Sequence, residues 1–131
     1  MPMLRTTTKQ TGDASENLAE HYLITQGLRV ISRNFRYKTG EIDLIMEDDQ
    51  HLIFVEVRYR KNKLFGSGSE TIGVKKQQRL IQTARYYLQK YNLTESRACW
   101  FDVVSISGEL TAALKASDKC DIQWLPNAFT A

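Results

Sequence analysis

Cysteine is scarce in this 131-residue chain: Cys99 and Cys120 are the only two, too few and too far apart for a zinc site. Long apolar runs are missing as well. None approaches the roughly 20 residues that a helix needs to span a bilayer, so no membrane helix is expected. The stretch Met1–Gln10 is polar and lacks the apolar segment of a secretory signal, which points to the cytoplasm. There is no internal repeat and no low-complexity segment. Net charge is small, +3 with a pI of about 8.9, and neither requires nor excludes a nucleic-acid partner.

What remains is an ordinary soluble composition, 42% hydrophobic and 25% charged, in a length that suits one domain with its own core. Residues 1–12 lack periodicity and are expected to form a loose arm, with a single domain over 13–131. Asp13-Ala14-Ser15-Glu16 fits a capping box opening a helix, and Leu18, Ala19, Tyr22 and Leu23 give it an apolar stripe that ends at Gly27. Glu16 borders that stripe. It reads either as a helix-cap carboxylate or as a side chain able to point into a site.

Leu28–Tyr37 reads as a strand with an irregularity at Asn34, and the stretch after it carries the chemistry. In Gly40–Arg60, Ile42, Leu44, Met46 and Ile53, Val55, Val57 alternate with other residues, the period-2 pattern of strands, around the turn residues Glu47-Asp48-Asp49-Gln50. A hairpin turning at Asp49-Gln50 places Asp43 opposite Glu56 and Glu41 opposite Arg58. Two carboxylates facing each other across a ladder destabilise it unless a cation lies between them. A hard divalent ion with oxygen ligands, magnesium first and manganese second, would resolve the conflict. The alternative is that Asp43 and Glu56 face solvent and pair with Arg58 and Arg60. Spacing leaves both readings open.

After the hairpin, Asn62–Gly73 is a glycine- and serine-rich loop of the kind that contacts substrates. Val74–Tyr91 is the clearest amphipathic helix, with Lys75, Lys76 and Gln77 in its first turn, where backbone amides and ammonium groups could seat a phosphate. Arg58, Arg60, Lys61 and Lys63 form a second basic cluster. Both clusters flank the carboxylate hairpin, although a basic run is often only a solvated face. Ala98–Ile106 reads as a buried strand in which Asp102 is a structural polar group needing an arginine or backbone amides. Glu109–Leu114 with Cys120–Trp124 would add a short edge pair. The order α-β-β-β-α-β plus short extras makes an α/β domain, a mixed sheet flanked by helices.

The segments TTKQTGDASE (7–16), GEIDLIM (40–46), FVEVRYR (54–60), KQQRLIQTAR (76–85) and FDVVSISG (101–108) resemble the YraN family of bacterial proteins, placed in the restriction endonuclease-like fold with archaeal Holliday junction resolvases. The resemblance covers nearly the whole chain. It implies that Asp43, Glu56 and the Val57 carbonyl would hold magnesium with Glu16 completing the shell. It also implies a metal-dependent endonuclease acting on DNA, branched or junction DNA included, and for symmetric cutting of a junction a homodimer. The departure is Arg58, which stands where the wider superfamily has lysine: a guanidinium can clamp a phosphate but cannot serve as a base. A non-catalytic nucleic-acid-binding protein that keeps the fold is therefore the second reading.

Overall fold

The structure is a computed structural model and describes residues 8–61, 72–110 and 120–131. In chain order the elements are α1 (Thr8–Thr25), β1 (Arg29–Tyr37), β2 (Gly40–Glu47), β3 (His51–Arg60), α2 (Val74–Lys90), β4 (Ala98–Ser107) and β5 (Asp121–Phe129). The strands form one mixed sheet in the order β1-β2-β3-β4-β5. Only β3 and β4 run parallel, joined by the crossover through α2. The fold is thus the expected α/β arrangement. Among the described residues no helix is long and apolar enough to cross a membrane.

The two helices cover opposite faces of the sheet. Leu80, Ala84 and Tyr87 of α2 pack with Ile42, Ile45, Phe54 and Phe101. On the other face Ala19 and Leu23 of α1 pack with Leu44, Met46, Ile53, Val55 and Val104. Because β3 is covered on both sides, Leu52 through Glu56 are all buried, and polar residues there cannot face water.

The hairpin turns where the sequence places it. Asp48 Oδ1 accepts from the amides of Gln50 and His51 (2.8 and 2.6 Å), and the Asp48 amide donates to the His51 carbonyl at 3.0 Å. The register follows: Glu47 faces Leu52, Met46 faces Ile53, Ile45 faces Phe54 and Leu44 faces Val55. The ladder then opens. Beyond Leu44, β2 pairs with β1 (Ile42 with Phe35, Glu41 with Arg36), while β3 continues on β4 (Glu56 with Val103, Arg58 with Ser105). The expected facing of Glu41 and Arg58 is therefore corrected: Glu41 faces Arg36 and forms an ion pair with it at 3.3 Å. Each strand finds a better partner on its other side, and the two splay apart at Asp43.

Two other expectations change. α1 starts at Thr8, so Asp13 is an exposed residue inside the helix rather than its cap. Ala14 and Ser15, just after it, are buried. Residues 1–7, 62–71, which include Lys63, and 111–119 lie outside the described residues. The C-terminal extra is a full nine-residue edge strand antiparallel to β4, with a register shift between Phe101 and Val103.

Gly40 opens β2 with φ +152°, and a Cβ there would lie 3.4 Å from Thr83 Oγ1 and 3.7 Å from the Arg79 Cβ. Thr83 donates to the Arg79 carbonyl at 2.8 Å, so at the 2.7 Å contact between the two hydroxyls Thr39 is the donor. The turn before β2 is thereby tied to α2. Gly40→Ala is expected to cost about 1–3 kcal/mol from backbone strain and this close approach. Urea denaturation reads the change, and a variant as stable as wild type would show that the close approach is not constraining.

Candidate metal centre

Three elements converge where β2 and β3 part. α1 supplies Glu16, β2 supplies Glu41 and Asp43, and β3 supplies Glu56. Oxygen atoms of Glu16, Glu41 and Asp43 all lie within 4.8 Å of one another. One cavity at this point is lined by Thr11, Gly12, Ser15, Glu16, Asp43, Glu56, Val57 and Tyr59. A second, of roughly 340 Å³, is lined by Gly40, Glu41, Asp43, Lys76, Arg79 and Leu80. Asp43 borders both.

Each carboxylate is held differently. Asp43 Oδ2 accepts the Val57 amide at 2.8 Å, a hydrogen bond made by the side chain just where the β2–β3 ladder opens. Burial and then the Glu56 carboxylate push the Asp43 carboxyl up to about 8; Glu16 and Glu41 add to this, and the Val57 amide opposes it. This shift favours a proton on Asp43, which does what a cation would otherwise do. Glu16 is aimed from β1: Arg33 Nη2 lies 3.4 Å from it, and Asn34, held at φ +54°, hydrogen-bonds to it. Burial raises its pKa, with Asn34 and Arg33 pulling the other way. Glu56 is 6% exposed and its Oε1 lies 2.5 Å from Lys76 Nζ on α2. Glu56 is thus buried rather than solvent-facing, while Asp43 is half-buried.

The cations and polar groups distribute unevenly. Arg58 and Arg60 are half-buried on β3, facing Ser105 and Ser107 of β4, and Lys61 is exposed just beyond the strand. Lys75 is exposed at the start of α2, and Gln77 spends its side-chain amide on the Ile72 carbonyl at 2.7 Å. Sequence reasoning missed Glu41 as a member of the cluster, having paired it with Arg58. The signal was present in Glu41-Ile42-Asp43, since residues two apart on a strand share a face. It also missed that Lys76 reaches Glu56.

The donor set is carboxylate oxygen, and it suits a hard divalent cation such as magnesium or manganese. Its mutual repulsion is what such an ion would relieve.

Residues 15–106 match the uncharacterised protein family UPF0102. A UPF0102 protein of Nitrosococcus oceani is 45% identical over 94% of both chains. One from Klebsiella pneumoniae subsp. pneumoniae is 46% identical over 92% of this chain and 87% of its own. The structure of Pyrococcus furiosus SfsA in complex with Ca2+ is similar at a TM-score of 0.40 and 19% identity, over 88% of this chain and 62% of that one. With a match over most of its length and relatives at this level of identity, the chain belongs to the UPF0102 family.

Proposed function

We propose that this protein is a divalent-metal-dependent endonuclease that hydrolyses phosphodiester bonds in DNA, branched or junction DNA included. The observation that carries the reading is the convergence of Glu16, Glu41 and Asp43 within 4.8 Å beside the buried Glu56, a charge arrangement that is costly in an apo protein and useful in a metal site. The resemblance to restriction endonuclease-like proteins supports it.

Asp43, Glu56 and the Val57 carbonyl would hold the ion, with Glu16 and Glu41 completing or steering the shell. Bound there, magnesium or manganese supplies an acidified water and screens the phosphate charge. The chain's own residues do the rest. Arg33 and Asn34 fix the Glu16 carboxylate, and the Val57 amide fixes that of Asp43. Lys76 and Arg79 line the second cavity, the side from which a phosphate backbone would approach, and Lys75 is exposed in the same helix start.

The test is purified protein with labelled linear, flapped and four-way DNA, with magnesium, manganese or EDTA. Metal-dependent cleavage of at least one substrate, absent from Glu56→Ala, is expected. If no DNA is cut, the nuclease reading fails. The second reading, a nucleic-acid-binding protein without cleavage, is favoured by Arg58 in the lysine position and by the ion pair that already occupies Glu56. It predicts salt-sensitive DNA binding and no cleavage.

A further inference from the structure

The ion pair between Glu56 and Lys76 joins a side chain that is 7% exposed to one that is 55% exposed. A buried carboxylate needs a partner, and this one obtains it from 20 residues away, across the gap between the sheet and α2. The partner comes at a cost. Lys76 lies in the first turn of α2, where a cation opposes the helix dipole, and its long side chain gives up rotamer freedom to reach inward. The Gly73 cap contributes no side-chain hydrogen bond there, and the first turn of α2 holds no acidic residue. Lys76 therefore stands between two unequal environments: a buried anion that it satisfies, and an open cavity wall shared with Glu41, Asp43 and Arg79.

Lys76 holds Glu56 through Oε1, and a divalent ion at this carboxylate would compete with the ammonium group for its charge. If the ion takes the carboxylate, Lys76 is released, but its backbone stays fixed on α2 at the cavity wall. The freed charge then sits at the mouth of the site, where a phosphate arrives.

We propose that Lys76 is a displaceable counter-ion: it competes with the divalent cation for Glu56, and once released it becomes a phosphate contact, so that metal binding switches on its part in DNA binding. The proposal rests on the metal-centre reading above but not on cleavage. It supplies a cation to the phosphate from α2 rather than from β3, where Arg58 stands in the lysine position.

The test uses DNA affinity for the full chain and its Lys76→Met variant, in EDTA and in calcium, together with manganese binding followed by the electron paramagnetic resonance signal of the free ion. In EDTA the two proteins should bind DNA equally, within about twofold, because Lys76 is engaged by Glu56. In calcium the wild type should bind about tenfold more tightly than the variant, in line with the loss of one strong phosphate contact. The variant should bind manganese more tightly than the wild type, by about tenfold, having lost the competitor. If Lys76→Met weakens DNA binding as much in EDTA as in calcium, Lys76 is a permanent phosphate contact and the proposal is overturned. It is equally overturned by unchanged manganese affinity. No manganese binding by either protein sinks the metal-centre reading itself, a different result from binding in both with equal affinity. Should the variant not fold, the wild type still decides: calcium without DNA should shift the Lys76 side-chain NMR signals towards those of a solvated lysine, and unmoved signals refute the exchange.

Discussion

Replacing Asp43 by asparagine is expected to abolish cleavage while making the metal-free protein more stable in alkali. The carboxyl is pushed up to about 8 in the folded chain, from 3.8 in the unfolded one, by burial and by Glu56. A raised carboxyl favours the folded state fully at pH values below its unfolded pKa, and that advantage is lost as pH rises through the folded pKa. Metal-free wild type should therefore lose stability steadily from pH 5 to pH 9, by on the order of 2–4 kcal/mol, or roughly 10 °C in Tm for a domain of this size. Asparagine cannot ionise, and its side-chain oxygen can still accept the Val57 amide, so the variant should show a much flatter profile and exceed wild type at pH 9. Cleavage should fall by on the order of 10²–10³ or more, since a neutral amide neither holds a hard cation nor repels its neighbours towards one. Thermal melts across pH in EDTA, beside cleavage in manganese, measure both effects. A flat wild-type profile, or a variant less stable than wild type at pH 9, would show that Asp43 is not held protonated by its neighbours.

This opposition between stability and activity is what separates a site from a structural cluster. Structural carboxylates are arranged so that charge is satisfied without help, as Asp48 is by two backbone amides and His51, which lower its pKa. Around Asp43, Arg33 is engaged by Glu16, Arg36 by Glu41 and Lys76 by Glu56. A proton on Asp43 lowers the charge of the centre, and a divalent ion could replace it.

Local chemistry made part of this legible. The turn residues around Asp48 and the alternating aliphatics determine the hairpin register together, and the observed pairs from Glu47 with Leu52 to Leu44 with Val55 follow it. The amphipathic period of α2 and the glycine stop of α1 at Gly27, φ +98°, were readable for the same reason. The opening of the ladder at Asp43 was not. It arises because β1 and β4 each pull one strand of the hairpin away, a contest between segments distant in sequence. Glu41 followed that opening into the carboxylate cluster, and the Glu56–Lys76 pair is likewise tertiary. At the C-terminus the expected edge segment stops at Trp124, whereas β5 runs on through Pro126 and Asn127 as an edge strand with a register shift, where a missing amide and a positive φ of 50° do least harm.

That irregular edge is where the second large effect is expected. Asp102 is 1% exposed, and its two oxygens accept from Trp124 Nε1 and from the Asn127 amide, both at 2.8 Å. The side chain thus supplies the hydrogen bond that the β4–β5 ladder loses at its register shift, and it locks the indole to the same strand. Asp102→Ala removes both acceptors at once and leaves a small void beneath β5, which should cost about 2–4 kcal/mol; the partial exposure of Trp124 lets water recover some of the loss. Asp102→Asn keeps one acceptor but turns a second donor towards a donor, so roughly half that cost is expected. Hydrogen exchange distinguishes a local from a global effect. With alanine, the β5 amides and the Trp124 indole proton should lose protection well before the β2–β3 hairpin does, because β5 pairs only with β4. Equal protection across β3 and β5, with stability within about 1 kcal/mol of wild type, would refute a structural role for this carboxylate. If the effect is local, Glu56 keeps its position through β3 and α2, and manganese affinity should change little even as the edge frays. The metal centre would then depend on the splayed hairpin and the two helices, with β5 serving to close the sheet.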